Sequence, residues 1–178
     1  MHTLDNILDK RFVDELYYDL LKSPWYVDNI AGRYTFPYGE KGTHVLMGND
    51  IYLRENNYTA KTTPLTSKFI SLFEHLCKSF NMDLYLKQIS ANLQFHGSDG
   101  TFHCDGNSDH QVFILMLCNE DLPKSPGGQF INKTQNKKVS FKHGRVFTFN
   151  AAEIHRADAF NKPYIPRISV KFCGEIVR

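Results

Sequence analysis

His103 and Asp105 stand two residues apart, and on a β-strand positions i and i+2 point to the same face. One imidazole and one carboxylate would then aim at one point. A second imidazole, His155, arrives from a later segment. Two histidines and a carboxylate on one side of a metal leave the opposite positions open, which suits non-haem Fe(II). Zinc hydrolases also use three protein ligands, so residue type alone does not decide the metal.

Arg167 and Ser169 follow His155 and share a strand face by the same rule. A tight turn, Asn161-Lys162-Pro163, would bring their strand beside that of His155. A buried arginine keeps its charge and so needs an anion. A dicarboxylate fits: the guanidinium grips the far carboxylate and the serine hydroxyl adds a hydrogen bond.

The chain that must position these groups has 178 residues, enough for one domain with a real core, or for one domain with a helical extension. Apolar residues make up 42%, with 14 Phe and 9 Tyr, which describes a globular chain. The net charge of +2 gives no polybasic footprint and weighs against nucleic acid as a partner. No apolar run is long enough to cross a bilayer, and the first residues lack a signal-peptide pattern. Cys77, Cys104, Cys118 and Cys173 are spread out with no CxxC pair, so reduced thiols in a cytoplasmic protein are expected.

Residues 3–22 have helical periodicity, capped by Thr3 or Asp5, and Ser23-Pro24 ends the run. Trp25 and Tyr26 are expected to anchor it on the main body. Residues 31–60 are rich in Gly, Asn and Tyr and remain unassigned, apart from a strand or two near 43–47. Pro64 opens a second helix over 64–80, whose stripe of Leu65, Phe69, Leu72, Phe73, Leu76 and Phe80 is a packing face. From residue 84 the period changes to that of strands, expected at 84–95, 101–105, 110–118, 128–132, 138–142, 145–150, 154–160 and 166–174. Many short strands after a helical leader predict a sandwich or jelly roll. The expected organisation is one domain over 1–178, with a helical part at 1–83 and a β core at 84–178.

These segments carry a resemblance. The run Asn92-Leu-Gln-Phe-His-Gly-Ser-Asp-Gly-Thr-Phe-His-Cys-Asp-Gly106, then Gly127-Gly128, then Gly144 to Arg156, then Arg167-Ile-Ser-Val-Lys-Phe172 resembles the 2-oxoglutarate- and Fe(II)-dependent dioxygenases, in particular their prolyl-4-hydroxylase-like branch. The family pattern H-x-D…H…R-x-S falls on His103, Asp105, His155, Arg167 and Ser169. The resemblance implies a double-stranded β-helix, a cupin-like jelly roll, with N-terminal helices on its major sheet. It implies Fe(II) held by His103, Asp105 and His155, and 2-oxoglutarate anchored by Arg167 and Ser169. The reaction implied consumes O2, hydroxylates a prolyl residue or another amino-acid or peptide substrate, and releases succinate and CO2, in an enzyme that ascorbate can stimulate.

Two departures bear on the substrate. Where many prolyl hydroxylases carry a co-substrate-binding tyrosine, this chain has Asn92 and Gln94, two apart on one expected strand face. Either amide could donate to a 2-oxoglutarate carboxylate. The far carboxylate faces Arg167 where collagen-type enzymes often use lysine. Peptide, protein or small-molecule substrates stay open, as do monomer and homodimer. The alternatives are a non-catalytic cupin-like binder, and an oxygenase acting on a small molecule or a nucleic-acid base. Arg156 points to the opposite face from His155, Cys104 should face away from the metal, and His96, His110 and His143 are expected near solvent.

Overall fold

The strand that carries Arg167 alternates polar and apolar side chains, Arg-Ile-Ser-Val-Lys-Phe, so it must separate two unlike environments. A computed structural model describes residues 1–28, 46–55 and 58–177 and shows both. In chain order the elements are β1 (His2–Leu4), α1 (Lys10–Leu21), β2 (Tyr26–Asp28), β3 (Leu46–Glu55), β4 (Tyr58–Thr62), α2 (Thr66–Phe80) and β5 (Leu84–Gln94). They continue with β6 (His110–Leu117), β7 (Phe130–Asn132), β8 (Lys137–Val139), β9 (Val146–Asn150), β10 (His155–Ala157) and β11 (Arg167–Ile176).

Among the described residues the strands form a major antiparallel sheet in the order β1-β9-β6-β11-β5-β3-β2, with β4 added to β3, and a minor sheet in the order β10-β7-β8. This is the expected double-stranded β-helix with helices on its major sheet. On one face of the major sheet lie α1 and α2. Ile168, Val170 and Phe172 of β11 join Phe69, Phe73 and Leu76 of α2 and Leu16 and Leu20 of α1 in that core. A second, smaller core of Val112, Ile114, Met116, Phe130, Phe147 and Phe149 fills the space between the sheets.

The N-terminus departs from expectation. Residues 2–4 pair with β9, and Leu4 opposes Val146. Asn6 then turns the chain at φ 58°, and the helix begins only at Lys10, where Asp9 accepts the Phe12 amide at 3.1 Å. The edge of β9 satisfies the backbone groups that a longer helix would have satisfied internally, and Asp9 supplies a better cap than Thr3 or Asp5. Trp25 anchors as expected, its indole N–H donating to the Leu20 carbonyl at 2.9 Å, whereas Tyr26 is 60% exposed. Of the unassigned stretch, β3 occupies 46–55; residues 43–45, where a strand was expected, lie outside the described residues. No helix among the described residues is long and apolar enough to cross a membrane.

Candidate functional site

Residues 101–105 do not form a regular strand. His103 makes a single antiparallel bridge with His155, its amide donating to the His155 carbonyl at 3.0 Å and its carbonyl accepting the His155 amide at 2.9 Å. Asp105 is pinned next to it by its amide, which donates to the Ala151 carbonyl at 2.9 Å. Two backbone anchors thus give the i, i+2 pair a common direction without a full ladder. Gly100 permits the approach, because a Cβ there would lie 2.9 Å from the Ala157 carbonyl oxygen.

The three side chains converge as expected. One donor atom from each of His103, Asp105 and His155 lies within 4.8 Å of the others. His155 Nε2 stands 3.3 Å from one oxygen of Asp105, and His103 Nε2 stands 3.7 Å from the other. Both imidazoles have their Nδ1 against a backbone carbonyl, Thr101 for His103 and Glu153 for His155, each at 2.8 Å. A carbonyl only accepts, so Nδ1 carries a hydrogen, and Nε2 is the ring nitrogen that each histidine turns toward Asp105. This second contact is what orients a metal-ligating histidine. The His155 ring is also held by Phe130, stacked at 5.2 Å, and by Phe149, edge-on at 4.5 Å.

Electrostatics keeps the donors ready. Burial, helped by neighbouring His155, pushes His103 down to about 4, so the ring is neutral near pH 7. Burial would raise the Asp105 carboxyl, but Lys171, His155 and His103 outweigh it and hold it well below the ordinary carboxylate range. The donor set is therefore two imidazoles, that of His103 held neutral, and one carboxylate, which fits a divalent cation with open positions.

A cavity of about 560 Å³ runs from this cluster between the sheets. Arg167 lies at its wall with no solvent exposure. Its Nε donates to the Gly128 carbonyl at 3.0 Å and its Nη1 to Gln94 Oε1 at 2.7 Å, while Nη2 is buried without a partner. Gly128 has φ 69°, and a Cβ there would stand 2.5 Å from the Phe160 ring and 3.3 Å from Arg167 Cδ, so a side chain would collide with the ring and crowd the stem of Arg167. Burial lowers Arg167 to about 10, which still leaves it charged at pH 7. A buried cation with a vacant donor beside a metal-ligand cluster suits a carboxylate.

The remaining expected residues divide by geometry. Ser169 and Asn92 are register partners on adjacent strands and both line the cavity. Gln94 lines it too, but its amide hydrogens already reach the carbonyls of Ser98, at 2.8 Å, and Ala157, at 3.1 Å, and its oxygen holds Arg167. No donor of Gln94 is left for a bound carboxylate. It acts on the site by fixing the guanidinium. Arg156 turns to Asp158 and to the face of Phe102, away from the cluster. Cys104 borders the cavity, with its thiol donating to the Ala152 carbonyl. His143 is not a solvated turn residue: its Nδ1 accepts the Cys118 amide and its Nε2 meets Asp14.

One residue of the site escaped the sequence pattern. Lys171 continues the Arg167, Ser169 face of β11, and its Nζ lies 3.0 Å from Asp105 Oδ1. The period of two that paired Arg167 with Ser169 reaches Lys171 in the next step, and that was the available signal.

No family model matches the chain, and no curated protein sequence matches it. Solved structures do. The chain is similar to an oxidoreductase of the 2OG-Fe(II) oxygenase family from Burkholderia pseudomallei, at 15% identity and a TM-score of 0.73 over 97% of this chain and 84% of that one. It is similar to a viral collagen prolyl hydroxylase from Paramecium bursaria Chlorella virus-1 in complex with 2-oxoglutarate, at 13% identity and 0.60 over 99% and 96%. A third is a Trichoplax adhaerens prolyl hydroxylase in complex with a hypoxia inducible factor peptide fragment, at 14% identity and 0.63 over 98% and 82%. What is shared at these identities is architecture, and the chain has the double-stranded β-helix fold of the 2-oxoglutarate- and Fe(II)-dependent oxygenases, prolyl hydroxylases included.

Proposed function

We propose that the chain is a single-domain, cytoplasmic 2-oxoglutarate- and Fe(II)-dependent dioxygenase that hydroxylates a prolyl residue or another amino-acid or peptide substrate. One observation carries the reading: His103, Asp105 and His155, whose donors converge, line one cavity with Arg167, whose Nη2 is buried without a partner. A sugar- or ligand-binding β-helix needs no such pair of features. The fold shared with the oxygenases supports it. So does the peptide bound by the Trichoplax adhaerens enzyme, as far as the substrate goes.

In this reading His103 and His155 present Nε2, and Asp105 an oxygen, to Fe(II). Arg167, set by Gln94 and Gly128, holds the far carboxylate of 2-oxoglutarate, with Ser169 and Asn92 beside it. Iron and 2-oxoglutarate together supply the oxidising chemistry that puts one atom of O2 into a C–H bond as succinate and CO2 form. Ile114 and Phe130 line the cavity and Phe149 backs His155, an apolar side that keeps bulk water from the metal and protects that chemistry from side reactions. The test is succinate formation from 2-oxoglutarate, Fe(II) and O2, with and without proline-containing peptides. Succinate that rises with a peptide and is lost in His155→Ala supports the proposal. Wild-type protein that forms no succinate under any of these conditions contradicts it.

A further inference from the structure

We infer that the primary substrate carries an acidic group, of the carboxylate class, that seats on Lys171. The inference rests on the proposed co-substrate and metal. The observations are local. Lys171 is only 18% exposed, and its ammonium lies in the cavity against Asp105. An ammonium largely removed from water needs a counter-charge. The next acid along the same row of the sheet is Asp50, reached through Ser90, and it is engaged with Lys61 at 3.6 Å.

In the free protein Asp105 is that counter-charge. In the loaded site it is not. A dication among His103, Asp105 and His155 is matched by Asp105 and by the metal-side carboxylate of a 2-oxoacid. Arg167 is matched by the far carboxylate. Lys171 then keeps only the more distant charge of Asp50, which is shared with Lys61, and stands beside a cation that repels it. If orienting Asp105 were its whole purpose, a neutral donor would serve without opposing the metal, so it is the charge that calls for explanation. The row leading outward from it, Ser90 and Asp50, is polar or charged and reaches solvent, where Asp50 and its ion-pair partner Lys61 are 47% and 40% exposed. A charged or polar ligand could follow that wall without burying an unpaired group.

The carboxylate at Lys171 has two available sources, the primary substrate and the co-substrate itself, and the experiment separates them. Cobalt(II)-loaded protein, with and without saturating 2-oxoglutarate, is titrated anaerobically with acetate and with neutral acetamide at fixed ionic strength. The cobalt absorption is followed in wild type, Lys171→Met and Lys171→Arg. The expected result is an acetate-dependent change on top of bound 2-oxoglutarate that is about tenfold or more weaker in Lys171→Met and recovered in Lys171→Arg. Acetamide should stay silent, and 2-oxoglutarate affinity should move less than about threefold. Equal acetate binding in wild type and Lys171→Met overturns the inference. So does a Lys171→Met variant that loses 2-oxoglutarate with no acetate effect in either protein, because the carboxylate is then the co-substrate's own. If wild type binds no 2-oxoglutarate, the proposed function fails, while acetate on the cobalt protein alone still reads Lys171. Thermal unfolding of each variant checks that the fold is retained.

Discussion

The two faces of the major sheet are built from alternate residues of the same strands, yet they follow opposite rules. On the helix side Ile168, Val170 and Phe172 stand beside Leu93, Ala91, Ile89 and Leu117, Leu115, Phe113 in one apolar layer. On the cavity side Arg167, Ser169 and Lys171 stand beside Gln94, Asn92 and Ser90. The first face contributes the burial that folding requires. The second carries one buried cation, Arg167, one partly buried cation, Lys171, and a layer of amides and hydroxyls, groups whose desolvation opposes folding. One face stabilises the sheet and the other makes use of it, so substitutions on the two should separate stability from binding.

The largest effect is expected on the helix side. Phe172 is fully buried and packs near Phe69 and Phe73, with ring centroids 6.1 and 6.5 Å away. Phe172→Ala should destabilise the protein by about 3–5 kcal/mol, read as a lower urea midpoint. The fraction that stays folded should still bind nickel(II) as wild type does. Loss of the metal site in that folded fraction would break the division between the faces.

Five residues earlier on the same strand, Arg167→Gln should give the reverse pattern. Its 2-oxoglutarate affinity, measured on nickel-loaded protein by calorimetry, should fall by about 100-fold, since a charge-assisted pair is replaced by neutral contacts. Stability should hold or rise, because an incompletely paired buried cation is removed. A large fall in stability would mean that Arg167 is chiefly a structural cation.

Gln94→Glu sharpens the point at nearly constant shape. A carboxylate 2.7 Å from Arg167 Nη1 would compete with the co-substrate for the guanidinium. Affinity for 2-oxoglutarate should drop by about tenfold, with metal affinity unchanged. A direct ligand role for Gln94, as its position in the sequence suggested, would instead make Gln94→Ala the more damaging change.

The smallest effect lies far from both faces. Arg145 hydrogen-bonds Asp5 through two nitrogens and, despite some burial of the carboxyl, lowers it to about 2, with Lys142 adding to the shift. A lowered carboxyl contributes stability that is complete above its unfolded value of about 4 and is lost as pH falls towards about 2. Asp5→Asn should cost about 1 kcal/mol or less at pH 7, and the gap to wild type should close between about pH 4 and 2. Denaturant midpoints measured across that range check the sign.

The sequence exposed the residues that converge more fully than the frame. His103, Asp105, His155, Arg167 and Ser169 were legible because strand geometry fixes which residues share a face, and all five line one cavity. Gln94 was legible as a site residue but not in its role, since nothing local reveals that its amide would be occupied by Ser98 and Ala157 from other parts of the chain. Lys171 was overlooked although the same period of two pointed to it. The helix limits at the N-terminus were misjudged because periodicity cannot tell an isolated turn from a short strand that completes the edge of β9. The segment 101–105 read as a strand because its side chains alternate, while the backbone keeps a single bridge, at His103.

The most direct measurement is an anaerobic titration of metal-free protein with Fe(II) and then 2-oxoglutarate, in wild type and His155→Ala, watching for the weak visible charge-transfer band of chelated 2-oxoglutarate. The expected result is a band in wild type that is absent without His155. A wild-type protein that shows no band with both components in excess, or one whose band survives the loss of His155, would contradict the assignment of this cavity as an Fe(II) and 2-oxoglutarate site.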